Sequence, residues 1–101
     1  MDQLLTAVRN YLDITYEDAE TDQKLIGIIK RGENYIDDAA GTAQDYEKEG
    51  AARALLFDYC RYARNNVLEL FSVNFQAELI ALRMGVQTSE YAKQQGYVRD
   101  I

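Results

Sequence analysis

The sequence predicts an all-α fold: a small bundle of about four helices with a C-terminal extension. Three observations carry this expectation. The 101 residues include no proline, so no helix interior is forced to lose a backbone donor. Apolar residues return every three or four positions in successive segments, which is the period of one helix face. Apolar residues make up 48% of the chain, enough for a core in one domain and too many for wholesale disorder.

The first helix is expected over residues 2–13, where Leu4, Leu5, Val8, Tyr11 and Leu12 share a face. Asp2 suits its N-cap, because a short acidic side chain can accept from an otherwise orphan backbone N–H. An acidic connection follows, from Asp13 to Asp22, with five acids and no base. Thr15 and Thr21 are possible caps for the next helix, and the acids there favour the positive end of its dipole.

The second helix is expected from Asp22 to Ala40, with Leu25, Ile28, Ile29, Gly32, Tyr35, Ile36 and Ala39 in one stripe and Gly41 as its stop. Gly32 stands inside that stripe. An interior glycine costs about 1 kcal/mol relative to alanine, so its use there predicts that the backbone of another helix crosses close by. Residues 41–47 read as a loop. The third helix is expected from Lys48 to Phe71, with Ala52, Leu55, Leu56, Tyr59, Cys60, Ala63, Val67, Leu70 and Phe71 facing inward. Arg53, Arg61 and Arg64 flank that stripe on one side.

Asn65–Asn66 and Ser72–Asn74 are weak helix formers, and a break near 72–74 should separate the third helix from a fourth, Phe75 to Met84, ended by Gly85. The expected organisation is therefore a helical domain over 1–85 and a C-terminal arm over 86–101. The arm lacks helical periodicity yet holds Val86, Tyr91, Tyr97, Val98 and Ile101. A segment of that kind is suited to ordering on a partner.

The charge is uneven. The whole chain carries −6, with twelve acids against five bases in residues 1–50 and five against six in residues 51–101. An acidic first half disfavours wrapping a nucleic-acid backbone, which needs clustered Lys and Arg. Cys60 is the single cysteine, expected as a small core residue. No apolar run is long enough to span a membrane, and the N-terminus has no basic, signal-like region, so a cytoplasmic folding site is expected.

Catalytic and metal chemistry find no support in the residue types. There is no histidine, the commonest general base and metal ligand, and one cysteine cannot build a zinc site. Asp18, Glu20 and Asp22 alternate like the start of a calcium loop, but Gln23 and Ile29 stand where glycine and a bidentate glutamate are required. No glycine-rich phosphate loop occurs. Asp37–Asp38 is expected on a solvated face. The chain is accordingly expected not to be an enzyme, with no cofactor and no metal. The interleaved run Tyr59-Cys60-Arg61-Tyr62-Ala63-Arg64-Asn65-Asn66 admits a protein interface, salt bridges within the chain, or nucleic-acid contact; the first is favoured because Arg and Tyr are enriched at interfaces.

The stretches LLTAVRNYLDI and DQKLIGIIKRGENYIDDAAG, joined by the acidic turn, resemble the opening of the head–tail connector proteins of tailed phages. These are also called head-completion, adaptor or DNA-packaging proteins. ALLFDYCRYARNNVLELFSVNFQAELIALRM resembles the second half of that family in phages and prophages of Gram-positive bacteria. The resemblance covers roughly residues 2–84. It implies a small helical bundle, assembled below the portal as a homo-oligomeric ring of about twelve copies. The ring would extend the channel through which DNA passes without specific binding, and offer a platform to the next neck, stopper or tail protein. The implied location is the neck of the virion, after assembly in the host cytoplasm.

A head-to-tail ring needs two different, complementary patches on each subunit. Glu17, Asp18 and Glu20 on one side and Arg53, Arg61 and Arg64 on the other are the candidates. Tyr91, Tyr97, Val98 and Ile101 are the candidate anchors of the arm on the portal or an adjacent subunit. The competing expectation is a small helical regulatory or nucleic-acid-binding adaptor acting as a monomer or dimer. The third helix begins KEGAARALLFDY, which is poor in the exposed bases and amides a recognition helix needs.

Overall fold

The computed structural model describes the backbone of residues 2–94 and the side chains of residues 3–90. Those residues are all-α. The helices are α1 (Asp2–Tyr11), α2 (Ala19–Ala40), α3 (Ala51–Arg64), α4 (Phe71–Asn74) and α5 (Gln76–Gln94), with a 3-10 turn at Leu68–Leu70 before α4. The body measures 50 × 28 × 17 Å. α2 is its spine, packed against α1, α3 and α5.

How each helix stops determines the path. At the end of α1, Asp13 takes a left-handed conformation (φ 58°). The Asp13 N–H donates to Asn10 O at 3.2 Å and the Ile14 N–H to Arg9 O at 2.9 Å, the paired bonds of a Schellman stop. Ile14 is then buried beside Val8 in the core. α2 starts three residues earlier than the sequence suggests and is capped by Asp18, not by Thr15 or Thr21: Asp18 Oδ1 accepts from the Glu20 N–H at 3.3 Å. Gly41, at φ 88°, ends α2 as expected. The following connection runs to Gly50, so α3 begins at Ala51 instead of Lys48.

α3 does not reach Phe71. It stops at Arg64 because Asn66 turns left-handed at φ 60°. The Asn66 N–H donates to Ala63 O at 3.2 Å and the Val67 N–H to Tyr62 O at 3.0 Å, a second Schellman stop. Asparagine tolerates this conformation where most residues do not. The redirected chain buries Phe71 and leaves Leu70, expected in the core, 46% exposed. Phe71 becomes the hub of an aromatic cluster, with ring centroids 5.4 Å from Tyr59, 5.8 Å from Tyr62 and 5.0 Å from Phe75. Gly85 does not end the last helix: α5 continues through it, so residues 86–94, expected to lack periodic structure, are helical.

The core contains Leu4, Val8, Leu25, Ile29, Ile36, Leu55, Leu56, Tyr59, Cys60 and Phe71. Leu25, Ile29, Ile36, Leu56 and Tyr59 are thus buried as expected, and Ala63 is half-buried. Close helix approach at Gly32 is also present, but the neighbour is two side chains and not a backbone. A Cβ placed at Gly32 would meet Leu56 Cδ1 at 2.7 Å and Tyr59 Cδ1 at 2.8 Å.

Tyr46, read from sequence as part of a polar loop, is 5% exposed. Its hydroxyl donates to Asp37 Oδ1 at 2.7 Å, with Glu33 O at 3.1 Å. The same Asp37 oxygen accepts from the Gln44 N–H at 2.9 Å. Asp37 is therefore a half-buried clamp on the α2–α3 connection, whereas Asp38 alone keeps the solvated position expected for both.

Two buried protons make the fold sensitive to alkali. Burial pushes the Cys60 thiol up to about 12, which also makes it an inert core group. Burial, followed by the bond to Asp37, pushes the Tyr46 phenol well above its ordinary value. The unfolded chain releases these protons first, near its ordinary values of 9.0 and 10.0. Their stabilisation is therefore complete below about pH 9 and is lost as pH rises toward the folded values. Denaturant titrations from pH 7 to 11 should show a falling midpoint above about pH 9. Tyr46→Phe should flatten part of that fall, while costing about 1.5–3 kcal/mol at neutral pH through the lost bond to a carboxylate.

Candidate interaction surface

The acidic connection is fixed to the bundle by Arg9. Its guanidinium pairs with Asp22 Oδ1 at 2.5 Å and donates to Tyr16 O at 2.6 Å. Within that connection, Asp18 serves α2: besides its cap bond, Oδ2 accepts from Thr21 Oγ1 at 2.7 Å. The Thr21 hydroxyl, with help from backbone N–H groups, holds the Asp18 carboxyl below its ordinary range. Glu17 and Glu20 are exposed.

The three arginines named from sequence have different surroundings. Arg53 lies 4.8 Å above the Phe57 ring, donates to Tyr46 O at 2.9 Å and pairs with Glu49 at 3.3 Å. With its side chain only 17% exposed, it ties α3 to the preceding connection. Arg61 pairs with Asp58 at 3.1 Å and lies 5.0 Å from the Tyr62 ring centroid. Asp58 also accepts from the Tyr11 hydroxyl at 2.7 Å, linking α1 to α3. Arg64 donates to the Tyr16 hydroxyl at 3.3 Å, and this contact holds the Tyr16 phenol below its usual value.

Arg64 and the acidic connection therefore meet at one end of the subunit. Arg53 lies eleven residues away along α3, about 16 Å at helical rise. Arg53, Arg61 and Arg64 each have a partner within the chain, whereas Glu17 and Glu20 stand exposed. Tyr91, Tyr97, Val98 and Ile101 lie outside the residues whose side chains are described.

A surface that the charge pattern did not point to lies in the C-terminal third. Val73 is 70% exposed, Met84 60% and Ile80 51%. On α5 the bundle takes Leu79, with Leu82 and Val86 half-buried beside it. Ala77, Ile80 and Met84 lie on the other side and face water. A trace of this was visible in the sequence, because Ala77, Ile80, Met84 and Gln87 follow a 3-4-3 spacing distinct from the Leu79, Leu82, Val86 stripe.

Among the described residues no group of His, Cys, Asp or Glu side chains could hold a metal ion. No helix among them is long and apolar enough to cross a membrane. No buried side-chain polar atom among them is without a partner. No family model, curated protein or solved structure matches the chain.

Proposed function

We propose that this chain is a structural head–tail connector of a tailed bacteriophage or prophage, forming a ring below the portal that extends the DNA channel and joins the head to the neck or tail. The reading rests on the resemblance over roughly residues 2–84 and on one observation. The exposed large aliphatic side chains among the described residues, Leu70, Val73, Ile80 and Met84, all fall in the C-terminal third. Asp18 and Asp37 are taken up in capping and loop bonds, and Arg9, Asp22, Arg53, Asp58 and Arg61 in ion pairs within the chain. An exposed apolar surface on a small domain marks a protein-binding face.

The acidic balance supports a channel element past which DNA slides. The isolated protein should bind duplex DNA more weakly than about micromolar at physiological salt, because its net charge has the wrong sign. Mixed with the portal protein encoded in the same genome, it should co-migrate on size exclusion as a complex holding about twelve copies. Tight DNA binding without portal binding would favour the regulatory or nucleic-acid-binding adaptor.

A further inference from the structure

We propose that the outward face of α5 is a self-pairing surface, on which two copies of this chain dock α5 against α5 in antiparallel orientation about a two-fold axis. Ala77, Ile80, Met84 and Gln87 are all exposed. Their spacing is that of the a and d positions of a two-helix seam. The bundle occupies the other side of α5, through Leu79, Leu82 and Val86, so this seam has no partner within the described subunit.

Charge selects the occupant. In the same register, Arg83 and Glu90 both fall at the g position, one heptad apart on one edge of the seam. Seven residues of helix separate their backbones by about 10.5 Å, and the two side chains form no ion pair with each other. Neither takes part in an ion pair among the described residues; the guanidinium of Arg83 makes only a long bond to Ala39 O, at 3.4 Å. In an antiparallel pair, g positions face g positions. Setting Met84 opposite the partner's Gln87 brings Arg83 to the partner's Glu90 and Glu90 to the partner's Arg83. On the other edge, Ala81 meets the partner's Thr88, where small side chains allow close approach.

The competing arrangements leave these charges unsatisfied or opposed. A parallel pair sets Arg83 beside the partner's Thr88. An antiparallel pair shifted by one heptad sets Arg83 against the partner's Arg83, and like charges across a seam oppose association. The edge is therefore complementary to itself, as a two-fold contact requires. The pairing takes up Ile80 and Met84 and leaves Leu70 and Val73 exposed; it rests on the charges of α5 and not on the connector reading.

Sedimentation velocity of the full chain across concentration, at low and high salt, tests the pairing. The wild type should show a monomer–dimer equilibrium that weakens with salt. Arg83→Glu and Glu90→Arg should each weaken the dimer by at least roughly tenfold, with unchanged helical circular dichroism. An equimolar mixture of the two variants should recover it as a heterodimer, because both cross-pairs are then attractive; the double variant in one chain should recover it as well. A wild type that stays monomeric to about millimolar, a particle mass insensitive to either substitution, or no recovery on mixing would overturn the proposal. Loss of portal binding by a variant that still dimerises would bear on the connector reading alone.

Discussion

Gly32→Leu should leave no folded protein. The position faces α3 so closely that even a methyl group would lie 2.7 Å from Leu56 Cδ1 and 2.8 Å from Tyr59 Cδ1. The Leu56 tip can rotate away. The Tyr59 ring cannot easily do so, because it packs 5.8 Å from Tyr35 and 5.4 Å from Phe71. Overpacking a tight core costs about 1–3 kcal/mol for small additions and more for large ones, and a leucine adds four carbons to a contact already closed. Gly32→Ala separates the two opposing effects. It gains about 1 kcal/mol of helix propensity and loses more to crowding, so it should fold with reduced stability. Combining it with Leu56→Ala should relieve part of the clash, giving a double-mutant coupling of about 0.5–3 kcal/mol. A soluble, cooperative Gly32→Leu variant with wild-type stability would show that α2 and α3 do not meet there.

The second large effect belongs to Leu56 itself. It is fully buried, on the α3 face that contacts Gly32. Leu56→Ala removes the methyls that fill the space above the glycine, and the glycine has no side chain with which to close the gap. The loss should fall within about 2–5 kcal/mol, read as a lower denaturant midpoint at unchanged slope. A change below about half a kcal/mol, the scatter expected of surface sites, would place Leu56 outside the core.

The all-α class and the inward faces of α2 and α3 were legible because the 3–4 apolar spacing leaves one way to bury Leu25, Ile29, Ile36 and Leu56 together. The helix stops were less so. Gly41 was readable as a stop since glycine is the usual left-handed residue, but α1 and α3 end on Asp13 and Asn66, which take that conformation less often. The earlier end of α3 changes one core assignment: continuing the helical register through Asn66 places both Leu70 and Phe71 inward, whereas the turn keeps Phe71 buried and exposes Leu70. Gly85 gave the opposite error, since a glycine past an apolar stripe resembles a stop and here lies inside α5. Tyr46 was missed because an isolated aromatic in a ten-residue connection has no period, and its burial depends on Asp37, nine positions away.

The candidate surface was legible only in part. Arginines and acids are conspicuous in sequence, but Arg53, Arg61 and Asp18 have partners three or four residues away or at the nearest helix end, and such local partners are not distinguished by composition. The exposed stripe of α5 was masked by the core stripe interleaved with it. Separating the two requires knowing which side of the helix the bundle occupies.

The central claim, that the chain is a connector placed below a portal, is tested most directly on DNA-filled heads assembled without it. Purified protein added to such heads should bind at the portal vertex as a ring visible by electron cryomicroscopy, and should restore the attachment of the downstream neck or tail protein. Heads that gain no density at that vertex, or that complete equally well when the protein is withheld, would contradict the claim.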